Sequence, residues 1–103
     1  MWRVDYSIRI NIEEIIRRQC GIESTLRRTW AEIDLDALAH NYHKLRERIG
    51  ADVKFLGVVK ADAYGHGSVQ VSHLLQELGA DYLAVSSIDE AIELRLNDIT
   101  MPI

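Results

Sequence analysis

Leu35, Leu38, Tyr42, Leu45 and Ile49 recur at offsets of 3, 7, 10 and 14 from the first, the stripe of an amphipathic helix with one buried face. Asp34 or Asp36 can cap its start, and Gly50 follows its last apolar residue. Just before it, Ala31-Glu32-Ile33-Asp34-Leu35 alternates polar and apolar at period two, as a half-buried strand does. Val53 to Val59 is almost continuously apolar apart from Lys54, a pattern that predicts a strand buried on both faces of a parallel sheet. Ser68 opens a second helix whose face is Val71, Leu74, Leu75 and Leu78, with Gly79 as its stop. Tyr82 to Val85 reads as another short buried strand. Ser87-Ile88-Asp89-Glu90 has capping-box spacing and starts a helix that runs to about Leu96. Nearer the start of the chain, Asn11 and Glu14 have cap spacing, Ile12, Ile15, Ile16 and Gln19/Cys20 share one helical face, and Gly21 can end the turn. Ser24 to Thr29 is polar and reads as a connection.

Helices that alternate with short apolar strands imply βαβ units, a parallel sheet and the α/β class. The right-handed crossover rule sets the two strands side by side with their C-terminal ends at one edge. Met101-Pro102-Ile103 follows a helix and a turn and reads as the first residues of a third parallel strand. Two strands and a stub do not close a barrel, which takes about 250 residues. The expectation is the leading portion of a larger α/β domain over residues 27–103, preceded by an extension at residues 1–26.

Composition narrows the partners. Twelve Lys and Arg against 16 Asp and Glu give a formal charge of −4, the opposite of what phosphate neutralisation needs, so nucleic acid is not an expected partner. No apolar run approaches the roughly 20 residues of a bilayer span, and Met1-Trp2-Arg3-Val4-Asp5 lacks the core of a secretory signal. A single cysteine, Cys20, makes no internal disulfide, which suits a reducing cytoplasm.

Ligands of parallel α/β folds bind beyond the C-terminal ends of the strands. Lys60 stands at one such end, directly after Leu56-Gly57-Val58-Val59. A lysine emerging from a buried strand is partly desolvated, which favours the free amine that attacks a carbonyl. By position alone, the favoured reading is that Lys60 merely marks the strand's exit into solvent. The segment Val58-Val59-Lys60-Ala61-Asp62-Ala63-Tyr64-Gly65-His66-Gly67 is far more specific, and it resembles the cofactor-lysine motif of the alanine racemases. Trp30 to Leu38 with Asn41 is similar to that family's opening strand and helix. Leu83-Ala84-Val85, Asp89-Glu90-Ala91, Leu94-Arg95 and Ile99 are similar to its next strand–helix unit. The resemblance runs from about Thr29 to Ile103.

The resemblance implies a pyridoxal 5′-phosphate-binding (β/α)8 TIM-type barrel and an isomerase of L- and D-alanine, supplying D-alanine for the cell wall. Lys60 matches the lysine that holds the cofactor as a Schiff base and that serves as one of two catalytic bases. Tyr64 matches the tyrosine whose hydroxyl contacts the cofactor phosphate, a role for which a neutral donor is suited. Gly65 and Gly67 can supply the backbone freedom of a tight loop. The family works as a homodimer, and the second, opposing tyrosine comes from a C-terminal β domain of the partner subunit. This sequence contains no counterpart of that domain, so the 103-residue chain on its own is expected to be inactive.

The remaining candidates carry less. His66 can orient the loop, and Asp62 reads as structural. His40 and His43 are three apart on a helix but have no third ligand, so no metal is expected. Cys20 has no histidine arranged around it. Two other readings stay open: a different fold-type-III pyridoxal phosphate enzyme, such as a broad-specificity racemase or a decarboxylase, and an inactive truncated product.

Overall fold

The structure, a computed structural model, describes the backbone of Trp2–Val4 and all of residues 31–103. The helix expected from Asn11 to Gly21, Cys20 on it, and the connection from Ser24 to Thr29 lie outside the described residues. In chain order the elements are β1 (Trp2–Val4), β2 (Ala31–Ile33), α1 (Leu35–Ile49), β3 (Leu56–Val58), a short turn α2 (Lys60–Gly65), α3 (Ser68–Glu77), β4 (Tyr82–Ala84) and α4 (Ile88–Leu96).

α1 forms for reasons present in its own residues. Asp34 is the cap: its Oδ1 accepts from the Asp36 amide at 2.9 Å and the Ala37 amide at 3.1 Å. Asp36 sits in the first turn and Arg46 and Arg48 in the last, each complementing the helix dipole. At the other end Gly50 takes a φ of +82°, and its N–H returns to the Arg46 carbonyl at 3.0 Å. The stripe buries Tyr42, whose ring meets Phe55 edge-on with 4.7 Å between centroids.

β3 and β4 pair in parallel with Leu56, Gly57 and Val58 opposite Tyr82, Leu83 and Ala84. The ladder continues through the Val59 amide, which donates to the Ala84 carbonyl at 2.9 Å. Two expectations need correction. The first strand is three residues long rather than spanning Val53 to Val59, and neither strand is buried on both faces. Gly57, Val59 and Leu83 face the helices and are buried, whereas Leu56, Val58 and Tyr82 are exposed. Side chains alternate across a pleated sheet, and among the described residues helices cover only one of its faces. The apolar run therefore reports two faces, of which the described residues cover one.

The core joins Tyr42, Val59, Ala63, Val71, Leu75, Leu83, Leu94, Ile99 and Met101. Full burial of a Leu, Ile or Met side chain contributes about 1.5–3 kcal/mol. Gly57 permits the closest approach, because a Cβ there would lie 2.5 Å from Leu75 Cδ1. α3 therefore packs directly against the strand backbone. Asp81, just before β4, fastens the other end of the sheet. Its carboxylate accepts from the Phe55 amide at 2.7 Å, Lys54 Nζ at 3.0 Å and Arg46 Nη2 at 3.3 Å. These partners, the Phe55 amide foremost, hold its pKa below the ordinary value.

The segment after α4 reaches β4, but Met101-Pro102-Ile103 does not form the third strand that the sequence predicts. Arg95 Nη1 donates to the carbonyls of Ile99 at 2.6 Å and Met101 at 2.8 Å. Gln76 Oε1 accepts from the Thr100 and Met101 amides at 2.8 and 3.0 Å. The Leu83 amide then donates to the Pro102 carbonyl at 2.8 Å. No pattern in the sequence foretells that β1 pairs antiparallel with β2, Trp2 opposite Ile33 and Val4 opposite Ala31. Three alternating residues are too few to register as a period, and the partner strand is remote in the chain.

Candidate active site

Lys60 lies at the C-terminal edge of β3, immediately after buried Val59. From there the backbone turns the wrong way for L-residues. Ala61, Asp62, Ala63 and Tyr64 have φ of 51°, 56°, 52° and 55°, four consecutive non-glycine residues in the left-handed region. Such a conformation costs about 1–2 kcal/mol per residue, so the turn stores on the order of 4–8 kcal/mol of strain. Left-handed residues normally occur singly, and here a whole turn is built of them.

Several bonds hold the turn. The Ala63 amide donates to the Val59 carbonyl at 2.9 Å and the Gly67 amide to the Asp62 carbonyl at 3.0 Å. Asp62 Oδ1 accepts from the Ser68 amide at 2.9 Å, tying the turn to the start of α3. His66 is within 3.0 Å of the Ala63 carbonyl through Nδ1. Ala63 is itself buried in the core. Gly65 and Gly67, at φ of 85° and 91°, complete the loop as expected of glycine. Asp62 and His66 thus have the structural tasks the sequence suggested.

The remaining tie comes from α4. Glu90 Oε1 accepts from the Ala61 amide at 2.8 Å, while Oε2 accepts from the Ser86 amide at 2.7 Å and Ser86 Oγ at 2.9 Å. The Ala61 amide first, then the Ser86 amide and hydroxyl, hold the carboxyl of Glu90 below its ordinary pKa. Ser87 caps the helix, accepting from the Glu90 amide at 3.2 Å. The sequence shows Glu90 in a capping box and in the stretch that resembles the family's strand–helix unit, with no task at the turn. Its second task depends on a residue 29 positions earlier, for which the sequence has no local signal.

The consequence of the turn is to bring Lys60 and Tyr64 together. Lys60 Nζ lies 5.9 Å from the centroid of the Tyr64 ring, at cation–π distance. Both side chains are exposed, Tyr64 at 60%. The desolvation expected for Lys60 is not present, because the face of β3 on which Leu56 and Val58 lie is uncovered in the described residues. An open depression of about 530 Å³ lies at the end of β4, lined from Leu83 to Ile88 with Ala91 and Ile103. Lys60 and Tyr64 are not among its walls. His40 and His43 are exposed on α1, and no group of three metal-ligating side chains occurs among the described residues. No helix among them is long and apolar enough to cross a membrane.

A family model described as "Alanine racemase, N-terminal domain" matches residues 33–103. The chain belongs to the alanine racemase family. Alanine racemase 1 of Clostridium acetobutylicum is 53% identical over 78 residues, covering 76% of this chain and 20% of that protein. Alanine racemase 2 of Caldanaerobacter subterraneus subsp. tengcongensis is 47% identical over 78 residues, with the same shares. The solved alanine racemase of Clostridium difficile 630 superposes with a TM-score of 0.72 at 51% identity, covering 75% of this chain and 21% of that one. The Bacillus anthracis enzyme with bound L-Ala-P gives a TM-score of 0.70 at 47% identity, over 74% of this chain and 20% of that one. This member of the family spans about one fifth of the length of the curated relatives it matches.

Proposed function

We propose that this chain carries the cofactor-lysine segment of a cytoplasmic, pyridoxal 5′-phosphate-dependent alanine racemase, an isomerase that interconverts L- and D-alanine and supplies D-alanine to the cell wall. The observation that carries the reading is the left-handed turn, which sets an amine and a phenol side by side at the C-terminal edge of a parallel strand pair. That pairing suits a ligand with a carbonyl and a phosphate. Lys60 would hold the cofactor through its amine, and the Tyr64 hydroxyl would donate to a phosphate oxygen.

Bound pyridoxal phosphate supplies an electron sink that acidifies the Cα–H bond of an amino acid. The amine of Lys60, once free, takes or returns the Cα proton on one face, since a base must be within hydrogen-bond reach of that proton. Inversion needs a second acid or base on the opposite face. In the homodimer proposed for the full-length protein, a tyrosine from the partner subunit fills that role.

Lys60→Ala in a protein that carries this segment tests the assignment. Loss of the base alone is expected to lower racemisation by about 10²–10⁴-fold, and the cofactor loses its covalent tether as well. Borohydride reduction followed by peptide mapping should find the cofactor on Lys60. Label on Lys44 or Lys54 instead would refute the reading.

A further inference from the structure

We propose that Glu90 is the positioning residue of the cofactor lysine, holding the strained turn in the one arrangement that presents Lys60 beside Tyr64. The inference rests on the functional reading of Lys60 given above. The amides of His66 and Gly67 and the carboxylate of Asp62 fix the second half of the loop, acting on residues 62–68, while the Ala63 amide reaches back to the Val59 carbonyl. Ala61, the residue covalently joined to Lys60, has its amide held from a different element, by Glu90 Oε1 at 2.8 Å. With Oε2 on Ser86, one carboxylate spans the C-terminal ends of both strands. The spacing between those ends therefore sets where the turn begins.

Helix capping does not account for this contact. In a capping box the third residue of the helix returns to the amide of the cap itself, here Ser87. The carboxylate of Glu90 instead accepts from the Ala61 amide at 2.8 Å and from the Ser86 amide and hydroxyl at 2.7 and 2.9 Å. Bonds of 2.7–2.9 Å to an ionised acceptor are in the charge-assisted range. A carboxylate meets three donors with acceptors alone. Glutamine, with its oxygen toward Ala61, would turn an NH2 group against the Ser86 amide. The role thus calls for a charged oxygen pair.

The full 103-residue chain allows a test that does not depend on turnover, because its three lysines report separately. Pyridoxal phosphate is added, borohydride fixes it to whichever lysine it has condensed with (water leaving, a secondary amine remaining), and peptide mapping gives the shares of Lys44, Lys54 and Lys60. In parallel, amide hydrogen exchange is followed at Ala61. Glu90→Ala is expected to cut the Lys60 share and speed Ala61 exchange, each by roughly tenfold, the factor that loss of one hydrogen bond to a charged group corresponds to. Glu90→Gln, which keeps one acceptor, should recover part of both. Ser87→Ala removes the cap of the same helix without touching Ala61, and should leave the Lys60 share within about twofold despite a less stable α4. Equal losses in Ser87→Ala and Glu90→Ala would reduce Glu90 to a helix stabiliser and overturn the proposal. So would Glu90→Gln or Glu90→Ala with unchanged labelling and exchange. Wild-type chain labelled no more at Lys60 than at Lys44 or Lys54 would overturn the functional reading and the positioning role with it. The exchange rate of Ala61 would then report separately on the contact with Glu90.

Discussion

α1 and the Lys60–Gly65 turn are both short helical segments, and they obey opposite rules. α1 is right-handed, with its cap, dipole charges, stripe and glycine stop all supplied by residues 34–50. The turn is left-handed through two alanines, an aspartate and a tyrosine, none of which favours that conformation strongly. Its geometry is imposed from outside, by the Val59 carbonyl, the start of α3 and the Glu90 carboxylate. One segment is at the minimum its own chain prefers. The other is kept away from that minimum, and it carries the lysine.

The largest test of this contrast is Ala61→Pro. Proline requires φ near −65°, against the +51° observed, and removes the amide that Glu90 binds. A loss of about 3 kcal/mol or more is expected in denaturant unfolding. Gly57→Ala should cost about 1–3 kcal/mol, since Leu75 Cδ1 must leave the space a Cβ would take. A smaller but more pointed pair uses the same substitution twice. Ala39→Gly, within α1, should destabilise by about 0.5–1 kcal/mol. Ala61→Gly should be neutral or stabilising by up to about 1 kcal/mol, because relief of left-handed strain opposes the added freedom of the unfolded chain. Equal losses at both positions would show that the turn is not strained.

The mildest test is acid. Glu90 and Asp81 both have pKa values lowered in the fold from ordinary values of 4.5 and 3.8. A depressed carboxylate contributes stability that is complete above its ordinary pKa and is lost as pH falls through the folded value. Thermal midpoints should thus be level above about pH 5 and decline below about pH 4. Glu90→Gln should flatten that decline.

The same contrast explains what could be read from the residues. Asp34, Gly50, Ser87 and the α1 stripe were legible because a cap and its donors lie within three or four positions. The parallel pairing of β3 and β4 followed from the alternation of elements. The expectation for Lys60 draws on its place at a strand end and on a motif, and that for Tyr64 on the motif alone. Neither the left-handed turn nor the contact of Glu90 with Ala61 left a local trace, since each depends on where a distant element comes to rest. The boundaries of β3 failed for a related reason: apolar residues at Leu56 and Val58 mark a face without stating that it is covered here.

The guanidinium of Arg95 and the amide oxygen of Gln76 together hold the backbone of residues 99–101. Both side chains belong to helices that precede this segment in the chain, and the loops closed are short, 4–6 residues from Arg95 and 24–25 from Gln76. Loop-closure entropy grows only logarithmically with length, and contacts this local favour fast folding. The segment beside β4 therefore takes its holding groups entirely from chain that precedes it, at a low entropic cost of closure.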